Sequence, residues 1–130
     1  MAESDPNIQH VEAALRGLDC LVVQDLFLNE TARFAHVFLP GCSFLEKDGT
    51  FTNTERKVQR VRKAVAPRGE SRADWEIIAD LSKRMGYAME YKDASAVFDE
   101  IAAVTPSYGG LSYARIEDEG IPWPCPTPDH

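Results

Sequence analysis

Residues 20–41 read Cys20-Leu21-Val22-Val23-Gln24-Asp25-Leu26-Phe27-Leu28-Asn29-Glu30-Thr31-Ala32-Arg33-Phe34-Ala35-His36-Val37-Phe38-Leu39-Pro40-Gly41. The run Cys20-Leu21-Val22-Val23 is apolar throughout and stops at Gln24-Asp25. That is the pattern of a strand buried on both faces of a parallel sheet, with its polar residues at the carboxyl end. Asn29 is placed to cap a short helical turn, after which Val37-Phe38-Leu39 predicts a second short strand closed by Pro40-Gly41. A strand, helical turn and strand in such close order point to the α/β class.

Upstream, Asp5-Pro6 offers an N-cap followed by proline at the first helical position, and Ile8, Val11, Leu15 and Leu18 share one face of the helix it would start. Downstream, Lys47-Asp48-Gly49 is a turn and Thr50-Phe51-Thr52 alternates as a short strand. Val58, Val61 and Val65 lie at helical spacing, but their β-branching and the flanking Pro67 and Gly69 leave a helix and an extended arm equally open. Asp74 reads as the cap of a helix with Ile77, Ile78, Leu81 and Met85 as its buried stripe and Gly86 as its stop. A last helix follows Asp93, with Val97, Ile101 and Val104 inward and Pro106 just past its end. From Tyr108 onward the abundance of Gly and Pro predicts an extended connector rather than a packed terminus. The expected fold is thus α/β: a partial Rossmann-like layered domain over residues 1–107, with a short, mostly parallel sheet flanked by helices, plus an extended C-terminal tail at 108–130.

The 130 residues suffice for one core, and 44% apolar with 27% charged residues is ordinary globular material. No apolar run approaches the ~20 residues of a membrane helix, and the first six residues lack the basic start and apolar stretch of a secretory signal, so a cytoplasmic, reducing location is expected. Cys20, Cys42 and Cys125 are odd in number and widely spaced, which reads as two buried fillers and one tail residue. His10, His36 and His130 show no ligand spacing, so no self-contained metal site is expected. A net charge of −7 argues against nucleic acid or an anionic membrane as a general partner. Locally, residues 54–72 carry Arg56, Lys57, Arg60, Arg62, Lys63, Arg68 and Arg72 against Glu55 and Glu70, a balance of +5, whereas residues 88–130 sum to −6. Such asymmetry suits a solvated face, an intramolecular match or a basic face aimed at an anionic partner.

Ligands of open α/β sheets sit outside the carboxyl ends of the strands, so Gln24-Asp25, the loop from Pro40 to Lys47 and the start of the Asp74 helix are candidates for one crevice. These residue types suit a nucleotide: a carboxylate accepts from the N1–H and exocyclic amine of guanine or from paired ribose hydroxyls, and a lysine neutralises phosphate. The bland readings are Asp74 as a plain N-cap, Asp25 as a strand end and Lys47 as a solvated turn residue. No nucleophile elbow, phosphate-cradling loop or Gly-x-Gly-x-x-Gly is present, and no catalytic residue is assigned.

The run from Leu21 to Pro40 resembles the motif that molybdopterin oxidoreductases of the dimethyl-sulfoxide-reductase family carry in their third domain. Further segments are similar to the catalytic (alpha) subunits of formate dehydrogenases: Glu46-Lys47-Asp48-Gly49-Thr50-Phe51-Thr52-Asn53-Thr54-Glu55-Arg56, Val58 to Val65, Asp74-Trp75-Glu76-Ile77-Ile78, Lys83 to Tyr87, Tyr108 to Tyr113 and Gly120 to Pro126. The resemblance implies a fragment, with residues 1–107 an incomplete domain for pterin guanine dinucleotide and 108–130 leading to a further domain. In the parent it implies molybdenum or tungsten between two pyranopterin guanine dinucleotides, with a cysteine or selenocysteine ligand, and a [4Fe-4S] cluster whose ligands are not in this chain. It implies oxidation of formate to carbon dioxide. As partners it implies the rest of that subunit and its electron-transfer subunits, with no membrane and no nucleic acid, and a sheet edge open to pairing in a homo-dimer. Its cofactor contacts fall on Gln24, Asp25, Lys47 and Asp74. Asn29 and His36 depart from the family, which usually has Thr and Asp there; Asn29 serves equally as a cap, and His36 is expected to be a buried structural histidine. Two other readings compete: a domain of the large iron-sulfur subunit of an NADH-quinone oxidoreductase, and an interaction module docking an anionic partner through residues 54–72.

Overall fold

The structure is a computed structural model and describes residues 2–129, so His130 lies outside the described residues. Three helices, α1 (Ile8–Arg16), α2 (Asp74–Arg84) and α3 (Ala94–Val104), accompany five strands. The strands are β1 (Val22–Asp25), β2 (Val37–Pro40), β3 (Gly49–Thr52), β4 (Lys57–Val61) and β5 (Ile121–Pro122). The α/β class holds, and β1 and β2 pair in parallel, Val22 opposite Val37 and Asp25 opposite Pro40. The parallel portion ends with that pair, for β3, β4 and β5 form a second, antiparallel sheet.

Val58 and Val61 lie in a strand, which settles the helix-or-arm alternative. The hairpin turn explains it: the Asn53 side chain accepts from Lys57 N at 2.9 Å, and Arg56 takes a left-handed φ of 65° that reverses the chain into β4. Beyond β4 the extended residues 63–65 run beside the Phe44–Glu46 turn, Ala64 N donating to Leu45 O at 2.8 Å.

Helix starts differ from expectation where a neighbouring side chain competes for the role. Asn7, not Asp5, caps α1: its side chain accepts from His10 N at 3.3 Å, while Asp5 accepts from Asn7 N at 2.9 Å. Asp93 does cap α3, accepting from Ala96 N at 2.9 Å, and Gly86, at φ 90°, follows the end of α2.

In α1 Val11 and Leu15 of the expected stripe are buried, with Ile8 and Leu18 exposed, but the main core cluster lies away from the stripes expected of α2 and α3. It gathers Val58, Phe98, Leu111, Ile116 and Cys125, with Tyr108, Tyr113, Ile121 and Trp123 packed around it. The Gly- and Pro-rich tail has little regular structure, as its composition predicts, but it is packed, because Leu111, Ile116 and Cys125 fill the space between β4 and α3. Gly110 permits the close approach: a Cβ there would collide with the Thr127 carbonyl. The cysteine expectation is corrected with it, since Cys125 and Cys42 are buried and Cys20 is exposed. In α2 only Ile77 of the expected stripe is buried, while Ile78, Leu81 and Met85 are exposed; in α3 the buried residue is Phe98, with Ile101 and Val104 exposed. Val22 and Val37 are also exposed, so β1 is not buried on both faces: no second layer covers that side of the two-stranded sheet among the described residues. His36 is exposed rather than buried, yet structural, its Nδ1 accepting from Leu21 N at 3.0 Å at the start of β1.

Part of the charge asymmetry is an intramolecular match. Glu117 of the acidic tail binds Arg60 at 2.8 Å and Arg62 at 2.7 Å, and Asp80 binds Arg72 at 3.3 Å. Arg60 also lies 4.0 Å over the Tyr113 ring, tying β4 to the tail. Among the described residues no helix is long and apolar enough to cross a membrane.

Candidate functional site

The carboxyl ends of β1 and β2 set the site. Gly41, just past β2, donates its N–H to Asp25 O at 3.1 Å and forms a parallel bridge with Arg72. Arg72 N donates to Pro40 O at 3.1 Å and Cys42 N to Arg72 O at 2.9 Å, so the chain entering α2 is stitched to the end of β2. Three segments distant in sequence therefore meet at one edge: the end of β1, the loop after β2 and the first turn of α2.

Asp74 is not an N-cap. Ala73 occupies that position, its N–H donating back to Glu76 Oε2 at 3.3 Å, and Asp74 is the first helical residue. Its carboxylate turns instead to the strand ends, where Gln24 Nε2 donates to Oδ1 at 2.7 Å and Lys47 Nζ donates to Oδ2. Gly41 leaves room for this turn, since a Cβ there would stand 3.1 Å from Asp74 Oδ1. Burial alone pushes the Asp74 carboxyl up, but the hydrogen bonds from Lys47 and Gln24, with the charge of Lys47, outweigh it and hold the group below its ordinary value. It is an ionised acceptor, and a carboxylate has about four lone-pair positions, so two bound donors leave capacity for a ligand.

Lys47 reaches Asp74 because of its local backbone. Ser43 N donates to Glu46 Oε2 at 2.7 Å and Arg68 N to Glu46 Oε1 at 2.8 Å, which fixes the Phe44–Glu46 turn against the extended arm. Those backbone donors, Ser43 first, hold the Glu46 carboxyl below its usual range. Lys47 follows with extended dihedrals, φ −141° and ψ 157°.

Of the four expected site residues, Gln24, Lys47 and Asp74 are thus joined by direct hydrogen bonds. Asp25 is adjacent in β1, but its carboxylate is engaged locally, accepting from Leu26 N and from Asn29 Nδ2, each at 2.7 Å. Alternation along a strand sends neighbouring side chains to opposite faces, which separates Asp25 from Gln24. Asn29 in turn accepts from Ala32 N at 3.0 Å, although Glu30, not Asn29, holds the N-cap position of the Thr31–Phe34 turn. Two clefts open beside Lys47, one of about 260 Å³ and one of about 200 Å³; Lys47, Asp48, Trp75 and Ala94 line both, and Asp74 lines the smaller. Sequence reading passed over Trp75; a large aromatic in the first turn of a helix, beside a carboxylate and outside the apolar stripe, was the available signal. No group of three or more His, Cys, Asp or Glu among the described residues could hold a metal ion. The donors and acceptors present suit an uncharged heterocycle edge and an anionic group, which is the chemistry of a nucleotide.

Comparison with known proteins places these residues in context. Residues 1–84 match the family model of molybdopterin oxidoreductases. The chain is 53% identical over 129 residues to the F420-dependent formate dehydrogenase subunit alpha of Methanocaldococcus jannaschii, covering 98% of this chain and 19% of that one. It is likewise 53% identical over 126 residues to the F420-dependent formate dehydrogenase 1 subunit alpha of Methanococcus maripaludis, covering 95% and 19%. Among solved structures, acetylene hydratase from Pelobacter acetylenicus superposes with a TM-score of 0.67 at 25% identity, over 88% of this chain and 16% of that one. The chain thus spans about a fifth of the length of the curated relatives it matches.

Proposed function

The chain belongs to the molybdopterin oxidoreductase family, and on that premise we propose that it is a segment of a formate dehydrogenase alpha subunit that holds the guanosine end of a pterin guanine dinucleotide. The observation that carries the reading is the convergence of Gln24, Lys47 and Asp74 from three separate segments onto one ionised carboxylate at the carboxyl ends of parallel strands.

Asp74 accepts from the N1–H and the exocyclic amine of guanine. Adenine presents an acceptor at N1, so the same carboxylate rejects it. Gln24 fixes the orientation of Asp74, and Lys47 keeps it ionised while offering positive charge to a phosphate or to the guanine oxygen. Asp25, already anchored by Asn29, accepts from ribose hydroxyls with its remaining lone pairs. When bound in the parent enzyme, the metal and pterin supply the two-electron chemistry that takes formate to carbon dioxide. The segment's own work is orientation of the nucleotide. The parent's metal is molybdenum or tungsten with a [4Fe-4S] cluster, its partners are the remainder of the subunit and the electron-transfer subunits, and its location is the cytoplasm. The unpaired outer edge of β1 accepts a further strand, and in isolation pairs two copies.

Thermal unfolding with GDP, ADP and no ligand tests the reading. At ten times its dissociation constant GDP adds about 1.4 kcal/mol, which for a chain of this size raises the midpoint by roughly 5 °C. The shift is absent with ADP and is lost in Asp74→Asn. Equal shifts with GDP and ADP, or a GDP shift that survives in Asp74→Asn, would refute it.

A further inference from the structure

Trp75 follows Asp74 in the first turn of α2, is partly buried, and lines, with Lys47, two clefts, one of which Asp74 also lines. Its indole meets no other ring and no cation among the described residues. The one buried side-chain N or O atom lacking a hydrogen bond among those residues is Arg60 Nε, so the Trp75 N–H, which also has no bond, remains open to solvent. Trp123 is the contrast within the same chain. Its N–H donates to Ser107 Oγ at 3.1 Å and its ring lies 6.2 Å from that of Tyr108, packed against the core. A half-buried indole normally finds use for both its face and its N–H. Among the described residues Trp75 has no ring, cation or hydrogen-bond contact, and it stands one residue from the carboxylate that Gln24 and Lys47 both bind.

We propose that Trp75 is the stacking platform for the purine base whose edge Asp74 reads. This rests on the guanine-nucleotide reading above and adds the second contact that reading needs. Asp74 alone fixes the base edge along one direction, whereas a flat apolar surface fixes the plane and excludes water from the hydrogen bonds. The binding contribution of the platform is indifferent to the identity of the base, because every base has a π-face. Affinity is therefore carried in large part by Trp75, and the choice of guanine over adenine by Asp74.

The chain has two tryptophans, so Trp123→Phe leaves Trp75 as the sole indole emitter. GDP titrated into this variant quenches its emission saturably, with ribose 5-phosphate as a control that lacks a base and leaves it unchanged. Trp75→Leu weakens GDP binding by calorimetry roughly 5- to 150-fold, the range that stacking of one base spans. Trp75→Phe, which keeps an aromatic face, retains most of the affinity, and the ratio of GDP to ADP affinity is the same in wild type and Trp75→Phe. Trp123, also partly buried, is removed as an emitter by Trp123→Phe, so the quenching reports on Trp75 alone. If GDP binds but leaves Trp75 emission unchanged, and Trp75→Leu binds it as tightly as wild type, the platform is refuted and the guanine reading stands. If GDP fails to bind the unmodified chain by calorimetry, the guanine reading falls and the platform with it.

Discussion

Ile116→Ala is the sharpest test of the tail as an integral part of this domain. Ile116 has 1% of its surface exposed and belongs to the cluster of Val58, Phe98, Leu111 and Cys125. The substitution removes three carbons, worth about 2.4 kcal/mol of transfer free energy at ~0.8 kcal/mol each. A residual cavity adds to this, because β4 and α3 are held by their own hydrogen bonds and close only in part. The expected loss is about 3 to 4 kcal/mol, within the ~2–5 kcal/mol range of such truncations. An unfolding entropy of ~2.1 cal/mol/K per residue gives a fall in Tm of roughly 11 to 15 °C. Val104→Ala is the control: Val104 is 71% exposed, and its truncation changes stability by no more than ~0.5 kcal/mol. Both variants are compared by thermal melts and by urea unfolding, with the m-value unchanged so that the midpoint reads stability. A loss for Ile116→Ala under about 1 kcal/mol, or no greater than for Val104→Ala, would refute the claim that the tail completes the core.

Two further outcomes follow from the same geometry. Because the folded-state carboxyl of Asp74 titrates below its ordinary value of 3.8, its contribution to stability is full above the unfolded pKa and is lost as pH falls through the folded one. The stability gap between wild type and Asp74→Asn is therefore widest near neutrality and narrows on acidification through the carboxylate range; a gap of constant size from about pH 7 to about pH 3 contradicts the assignment. Of the three free thiols, Cys20 is exposed whereas Cys42 is 1% and Cys125 0% exposed, and burial pushes the Cys42 thiol up. A thiol-disulfide reagent titrates one equivalent rapidly in the native chain and the other two only on unfolding, and three rapid equivalents would contradict the packing.

The local rules of the chain were enough to identify the three α-helices and the strands β1 to β3, but not β4 or β5. An apolar run that stops at Gln24-Asp25 and a second one closed by Pro40-Gly41 determined the parallel pair, because strands of that kind and length are written in consecutive residues. The helices around Ile77 and Ile101, the Asp93 cap and the Gly86 stop were legible for the same reason. So were Gln24, Lys47 and Asp74 as a group, since the carboxyl ends of strands and the loops beside them converge in any open α/β sheet. What tertiary structure decided were matters of competition between distant partners. Asp74 is free of the capping role because Gln24, 50 residues away, and Lys47, 27 away, bind its carboxylate, while Ala73 and Glu76 manage the helix start. Asp25 is directed away from that group because Asn29 holds it. The stripe of α1 did mark its buried Val11 and Leu15, but the face that α3 buries could not be read from its stripe, since burial depends on which segment arrives to cover it. Here the covering segment is the Gly- and Pro-rich tail, whose composition says only that it forms little regular structure. Its three buried side chains, Leu111, Ile116 and Cys125, find their partners Val58 and Phe98 only when the chain has folded back across itself.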